Sequence, residues 1–194
     1  MLATSVCFVA DAVSYFLSLF NTWLNLITTP FTTTKSDILW IIVPIYMSWI
    51  LAEYYQEKAG TSIGNAISNG FVGLWVGIDW ARKIVPAFKP TTVFVGQAFI
   101  TLFMFAYGLL VIYNGMKGRR IAMKIGRVKD VSYLMIVFSP IVYGLVPLTV
   151  DTLISIVVFF PVVYGITELV DRMLPAPQEP TAVVQDKKQS ENKR

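Results

Sequence analysis

Residues 131–170 read VSYLMIVFSPIVYGLVPLTVDTLISIVVFFPVVYGITELV. Two apolar runs, 131–149 and 152–170, are separated by a short step at Val150 and Asp151. Each approaches the roughly 20 apolar residues a helix needs to cross a bilayer. The runs also repeat one another. Val137-Phe-Ser-Pro140-Ile-Val-Tyr143-Gly144-Leu-Val-Pro147-Leu148 matches Val158-Phe-Phe-Pro161-Val-Val-Tyr164-Gly165-Ile-Thr-Glu168-Leu169 at seven of twelve positions. Partial echoes occur at Pro44-Ile45-Tyr46 and Phe105-Ala106-Tyr107-Gly108. A tight turn near 147–151 would bring Pro140 and Pro161 to similar depth near the midplane. A proline inside a helix removes one backbone hydrogen bond and bends the chain. In a membrane the released carbonyls must be buried or line a cavity, and transporters place substrate sites at such broken helices. The plainer alternative is that the prolines only shape their helices.

Outward from this hairpin, 38–55 and 92–113 are equally clear spans, and 4–28 and 63–80 are weaker ones. Hydrophobic residues make up 55% of the 194-residue chain against 14% charged, and a soluble domain carries about 25% charge. Mean hydropathy is +0.62. The expected fold is therefore all-α: a polytopic integral membrane bundle of five to six helices over 1–173, followed by a disordered tail over 174–194. That tail is polar and proline-bearing and cannot offset its ordering entropy by burial. Basic residues orient the bundle. Twelve of the sixteen fall on one side if six segments span: Lys58, the loop 115–130, Arg172 and the tail. The positive-inside rule puts these and the C-terminus in the cytoplasm. If 4–28 lies in the interface instead, five spans remain. The first basic residue is Lys35, which argues against a cleaved signal.

Three helices carry polar or small stripes. On the first, Asp11, Ser14, Ser18, Asn21, Thr22 and Asn25 fall within an arc of roughly 100°. The stripe holds no lysine or arginine, unlike a helix gripping anionic lipid. It is either a buried seam of helix–helix hydrogen bonds or the lining of a wet path. On 63–80, Ser62, Asn65, Ala66, Asn69, Gly70, Gly73 and Gly77 share one face, with a GxxxG spacing at Gly73 and Gly77. Small residues let helix backbones approach where lipid offers no hydrophobic drive. Packing within the monomer is expected ahead of a dimer contact. On 92–113, Gln97, Thr101, Gly108 and Gly115 line up.

Most charges have local explanations. Asp37 and Asp151 stand at helix starts and suit N-caps. Glu168 and Arg172 are four apart and can pair. Asp79 precedes Arg82 and Lys83, and Glu53, beside Tyr54 and Tyr55 near the inner interface, is expected to be solvated. Asp11, on the stripe, is the first choice for a carboxylate that contacts an ion or partner. In the loop, Lys117, Arg120, Lys124 and Arg127 fall on one helical face. They either hold topology or bind anionic headgroups, at about 1 kcal/mol per basic residue. Nucleic-acid binding is not expected, because these bases lack interleaved aromatics.

Enzyme chemistry finds no footing. There is no histidine and one cysteine, Cys7, so imidazole triads, histidine-ligated metals and intrachain disulfides are excluded. Gly60-Thr-Ser62-Ile-Gly64 matches GxSxG, but the nucleophile elbow needs an α/β sheet and a histidine base. No cofactor or metal site is expected. Two functions stay open. In the first, a small solute or ion moves along Asp11, Asn21, Asn25, Asn65, Asn69, Gln97 and Thr101, with Pro140 and Pro161 as hinges. In the second, the chain is a structural or accessory subunit of a larger membrane complex, with Gly70, Gly73 and Gly77 as packing surface. Membrane lipids, further copies of the chain or other membrane subunits are the expected partners.

Overall fold

A computed structural model describes residues 2–55, 61–88 and 91–173, the side chains of 2–9 and 171 aside. The expected tail 174–194 lies outside the described residues. Among them every regular element is helical: α1 Leu2–Thr32, α2 Leu39–Tyr55, α3 Ile63–Ile84, α4 Thr92–Met116, α5 Arg120–Ile125, α6 Val128–Val142 and α7 Val150–Met173. Short 3-10 turns precede α2 and follow α3. Among the described residues three stretches are long and apolar enough to cross a membrane: Ser36–Tyr55, Thr92–Met116 and Val150–Val170.

The bundle is built around α6. Val131, Tyr133, Met135, Ile136, Val137, Ile141 and Val142 are all buried, so this helix has no outward face. Helices α1, α2, α3, α4 and α7 pack around it. Cross-links fix the directions. Trp80 Nε1 donates to Ser139 Oγ at 3.2 Å, and Asn69 Nδ2 donates to the Gly126 carbonyl at 2.9 Å. These set α3 parallel to α6. Tyr133 Oη donates to the Ile156 carbonyl at 2.7 Å, and Arg127 Nη1 donates to Tyr164 Oη at 2.6 Å. These set α7 antiparallel to α6. One end of the bundle therefore carries the basic loop and Glu53, and the far end carries Asp37, Lys83 and Tyr143.

The closest packing joins α3 to α4. A Cβ on Gly108 would lie 2.8 Å from the Gly70 carbonyl oxygen and 2.9 Å from the Leu74 nitrogen. Gly70, Gly73 and Gly77 face Val111, Met104 and Phe105 in turn. The small-residue face of α3 is thus covered by α4 of the same chain.

The repeat folds two ways. In its first copy α6 stops at Val142. Gly144 takes φ +67°, its N–H meets the Ile141 carbonyl at 3.0 Å, and the Leu145 N–H meets the Pro140 carbonyl at 2.8 Å. This pair of bonds is a Schellman cap. In the second copy α7 runs through Gly165 to Met173. The difference lies just downstream. Pro147 follows the first copy where Glu168 follows the second. A proline there cannot continue the helix and pushes Val146 out of the helical region. The expected helix over 131–149 is corrected accordingly: α6 has 15 residues, about 22 Å, and 143–149 is irregular. The expected common depth of the prolines is corrected too. With Tyr133 at the level of Ile156, Pro161 lies about a dozen residues of rise, on the order of 18 Å, from Pro140. Pro140 is buried and Pro161 exposed.

Helix α1 is laid across the bundle. Phe16, Phe20 and Trp23 surround the ring of Phe159 on α7, Leu26 enters the core around α6, and Phe31 meets Tyr46 of α2. Its buried face is Leu19, Trp23, Leu26 and Pro30, about a third of a turn from the polar arc. Residues 10–18 are all exposed.

Candidate functional site

The residues expected to line one path do not share one. Asp11, Asn21 and Asn25 face outward on α1, with Ser14 and Ser18 beside them. The Ser14 and Thr22 hydroxyls bond to carbonyls of their own helix. Asn65 is half-buried at the start of α3, where Ser62 is the N-cap and accepts from the Asn65 backbone N–H at 3.1 Å. The GxSxG serine therefore caps a helix. Asn69 is spent on the Gly126 carbonyl at the basic end. Gln97 Nε2 donates at the far end to the Ile141 and Val142 carbonyls, at 3.2 and 3.1 Å. Thr101 donates to the Gln97 carbonyl of its own helix at 2.8 Å. Gln97 thus serves carbonyls where α6 stops, adding a second donor to Ile141 beside the Gly144 N–H and one to Val142. The stripes meet backbone groups at opposite ends of the bundle, with α6 between them. Pro140 and Pro161 do not oppose each other and form no paired hinge.

The four loop bases also part company. Lys117 lies over the Tyr113 ring, with Nζ 5.9 Å from its centroid. Arg120 and Lys124 are exposed on α5. Arg127 turns to Tyr164 on α7. The expected single face is corrected, because α5 ends at Ile125 and Gly126 redirects the chain before Arg127.

What the fold brings together is a set of charges. At the basic end Lys129 is 8% exposed and reaches Glu53 on α2 at 3.3 Å and Glu168 on α7 at 3.6 Å. Its Nζ sits 4.3 Å from the centroid of the Tyr164 ring. Arg172 pairs with Glu168 at 3.4 Å. Lys129 stands two residues before the apolar run that begins at Val131. This clasp ties three helices through one cation. A cleft of about 260 Å³ opens beside it between α2 and α7, lined by Trp49, Ile50, Glu53, Tyr54, Ile166, Thr167 and Val170.

The far end carries a second set. Lys83 bonds Asp37 at 2.9 Å, Arg82 bonds Asp79 at 2.8 Å, and Tyr143 Oη donates to Asp79 at 2.6 Å. Neither expected acidic N-cap is one. Asp37 pairs with Lys83, and α7 is capped by Thr149, whose Oγ1 accepts from the Thr152 N–H at 3.1 Å. Asp151 instead accepts from Tyr15 at 3.0 Å. Sequence reasoning passed over Lys129 and treated Glu53 as solvated. The available signal was a lysine two residues before an apolar run, and a glutamate at the end of another span on the same side.

No protein-family model matches the chain, and no curated protein or solved structure matches it. The fold itself defines a class: an all-helical bundle with three helices long and apolar enough to cross a membrane.

Proposed function

We propose that this chain is a multi-pass integral membrane protein that works without catalysis, as a structural or accessory subunit of a larger membrane assembly. In this reading α2, α3, α4, the α6 segment and α7 give five passes, and α1 is the sixth where it spans. The basic end and the C-terminus face the cytoplasm by the positive-inside rule. The observation that carries the reading is the outward polar face of α1. Asn21 and Asn25 are exposed while Leu19, Trp23 and Leu26 are buried. Amide side chains facing hydrocarbon are costly, and polar residues on one helix commonly hydrogen-bond a neighbouring helix. A partner helix seated on α1 satisfies them.

A second reading, transport of a small solute or ion, draws on Lys129, Glu53 and Glu168. Ionisable groups buried at membrane depth mark ion pathways, and the α2–α7 cleft reaches Glu53. The deciding experiment is the mass and composition of the particle extracted in mild detergent. The subunit reading expects other membrane proteins in fixed stoichiometry, lost in Asn21→Leu/Asn25→Leu. A chain that emerges alone, with liposome flux abolished by Glu53→Gln, overturns it in favour of transport.

A further inference from the structure

A cleft between α4, α5, α6 and α7 is graded from charge to hydrocarbon. It holds about 350 Å³ and is lined by Tyr107, Lys124, Ile125, Asp130, Leu134, Val157 and Phe160 among others. Lys124 and Asp130 stand at the basic end. Leu134 and Val157 lie deeper along α6 and α7, in the apolar runs, and Phe160 stands nearer the level of Asp130. The Tyr107 hydroxyl donates to the Ile125 carbonyl and ties α4 to α5 along one wall. The opposite wall is open to the surroundings of the bundle, since Val157 is 71% exposed.

Arg120 lies one turn from Lys124 on α5, and residues four apart on a helix are neighbours. Both are exposed. With Asp130 the mouth carries a formal charge of +1. The other bases nearby have different partners: Arg119 lies over Tyr113 and donates to Asn114, and Arg127 donates to Tyr164. The volume falls at the small end of ligand pockets, room for the first stretch of one acyl chain.

We infer that this cleft is a binding site for a single anionic phospholipid, its phosphate at Lys124 and Arg120 and one acyl chain between Leu134, Val157 and Phe160. The inference rests on the membrane reading but not on the subunit reading. The charge at the mouth selects the headgroup, and the apolar floor requires a lipid instead of free phosphate. At the attraction expected of one charge near a lipid surface, the net charge of +1 at the mouth should select phosphatidylglycerol over phosphatidylcholine by about fivefold.

The test is native mass spectrometry of the full chain released from nanodiscs of equal phosphatidylglycerol and phosphatidylcholine with matched chains. One phosphatidylglycerol per chain is expected to survive on the unmodified protein. Arg120→Gln/Lys124→Gln, which leaves Asp130 alone at the mouth, should abolish the preference, and Val157→Trp, which fills the cleft from an exposed position, should remove bound lipid of both kinds. Carbonate-resistant membrane retention of every variant separates these losses from failed insertion, and so from failure of the membrane reading. Equal retention of the two lipids by the unmodified chain overturns the inference. So does lipid retention unchanged by Val157→Trp, or displacement of the lipid by millimolar inorganic phosphate.

Discussion

Adding one carbon at Gly108 should separate two helices. A Cβ there would meet the Gly70 oxygen at 2.8 Å, the Leu74 nitrogen at 2.9 Å and the Leu74 Cα at 3.2 Å. All three are backbone atoms of α3, so no side chain can swing aside. Overpacking of this kind costs about 1–3 kcal/mol. Alanine recovers about 1 kcal/mol over glycine in helix propensity. The net for Gly108→Ala is a loss of about 0–2 kcal/mol. At Gly165 on α7 nothing lies within 4 Å of the added Cβ, so the same change should be neutral or stabilise by up to about 1 kcal/mol. The two variants should differ by about 2 kcal/mol, roughly 30-fold in the unfolding equilibrium. Intermediate cases grade the argument. Gly70→Ala meets Val111 Cγ1 at 2.9 Å and the Gly108 oxygen at 3.2 Å, while Gly73→Ala meets the Met104 methyl at 2.7 Å. A methionine end can rotate, so the expected order of damage is Gly108, then Gly70, then Gly73, with Gly165 unharmed. Unfolding by sodium dodecyl sulfate titration in mixed micelles, followed by circular dichroism and tryptophan fluorescence, measures the series. A Gly108→Ala protein as stable as Gly165→Ala would refute the close α3–α4 contact.

The clasp should behave as a buried ion pair. Lys129→Met should destabilise by about 3 kcal/mol, because it strands the Glu53 carboxylate, and Lys129→Met/Glu53→Gln should recover more than half of that in the same titration. Gln97→Leu should cost about 1–3 kcal/mol by leaving the Ile141 and Val142 carbonyls without their side-chain donor, and hydrogen exchange should quicken selectively over 139–149. Gly144→Ala, forced into the left-handed region, should cost about 1–2 kcal/mol, whereas Gly165→Ala, mid-helix in the second repeat copy, should not. Thermal unfolding of the pair checks whether the two copies are conformationally distinct.

The reach of sequence reasoning differs from element to element. Helical class and the apolar stretches of α2, α4 and α7 were legible, because length and hydropathy are local properties that no neighbour alters. The glycine face of α3 was legible as a packing surface, and α4 is what covers it. The repeat was legible as sequence but misleading as structure. Seven identities suggest two like helices, yet one residue, Pro147 against Glu168, ends the first and lets the second run on. The polar positions fared worst. Periodicity states which residues share a face and is silent on which way the face turns. The α1 stripe turns outward because Leu19, Trp23 and Leu26, about a third of a turn from it, are buried, while Phe16 and Phe20 on the opposite side reach the ring of Phe159.

By itself, then, the chain's order of residues determined an all-helical, membrane-type composition, a basic end, and the small-residue surface on α3. Tertiary structure alone decided that α6 fills the centre, that Asn69 and Gln97 serve backbone carbonyls at opposite ends, and that Lys129 meets Glu53 and Glu168. The reason is separation along the chain. Lys129 and Glu53 are 76 residues apart and Gln97 and Ile141 are 44. A period of 3.6 carries no information over such distances, and only the packing of whole helices brings these groups within reach.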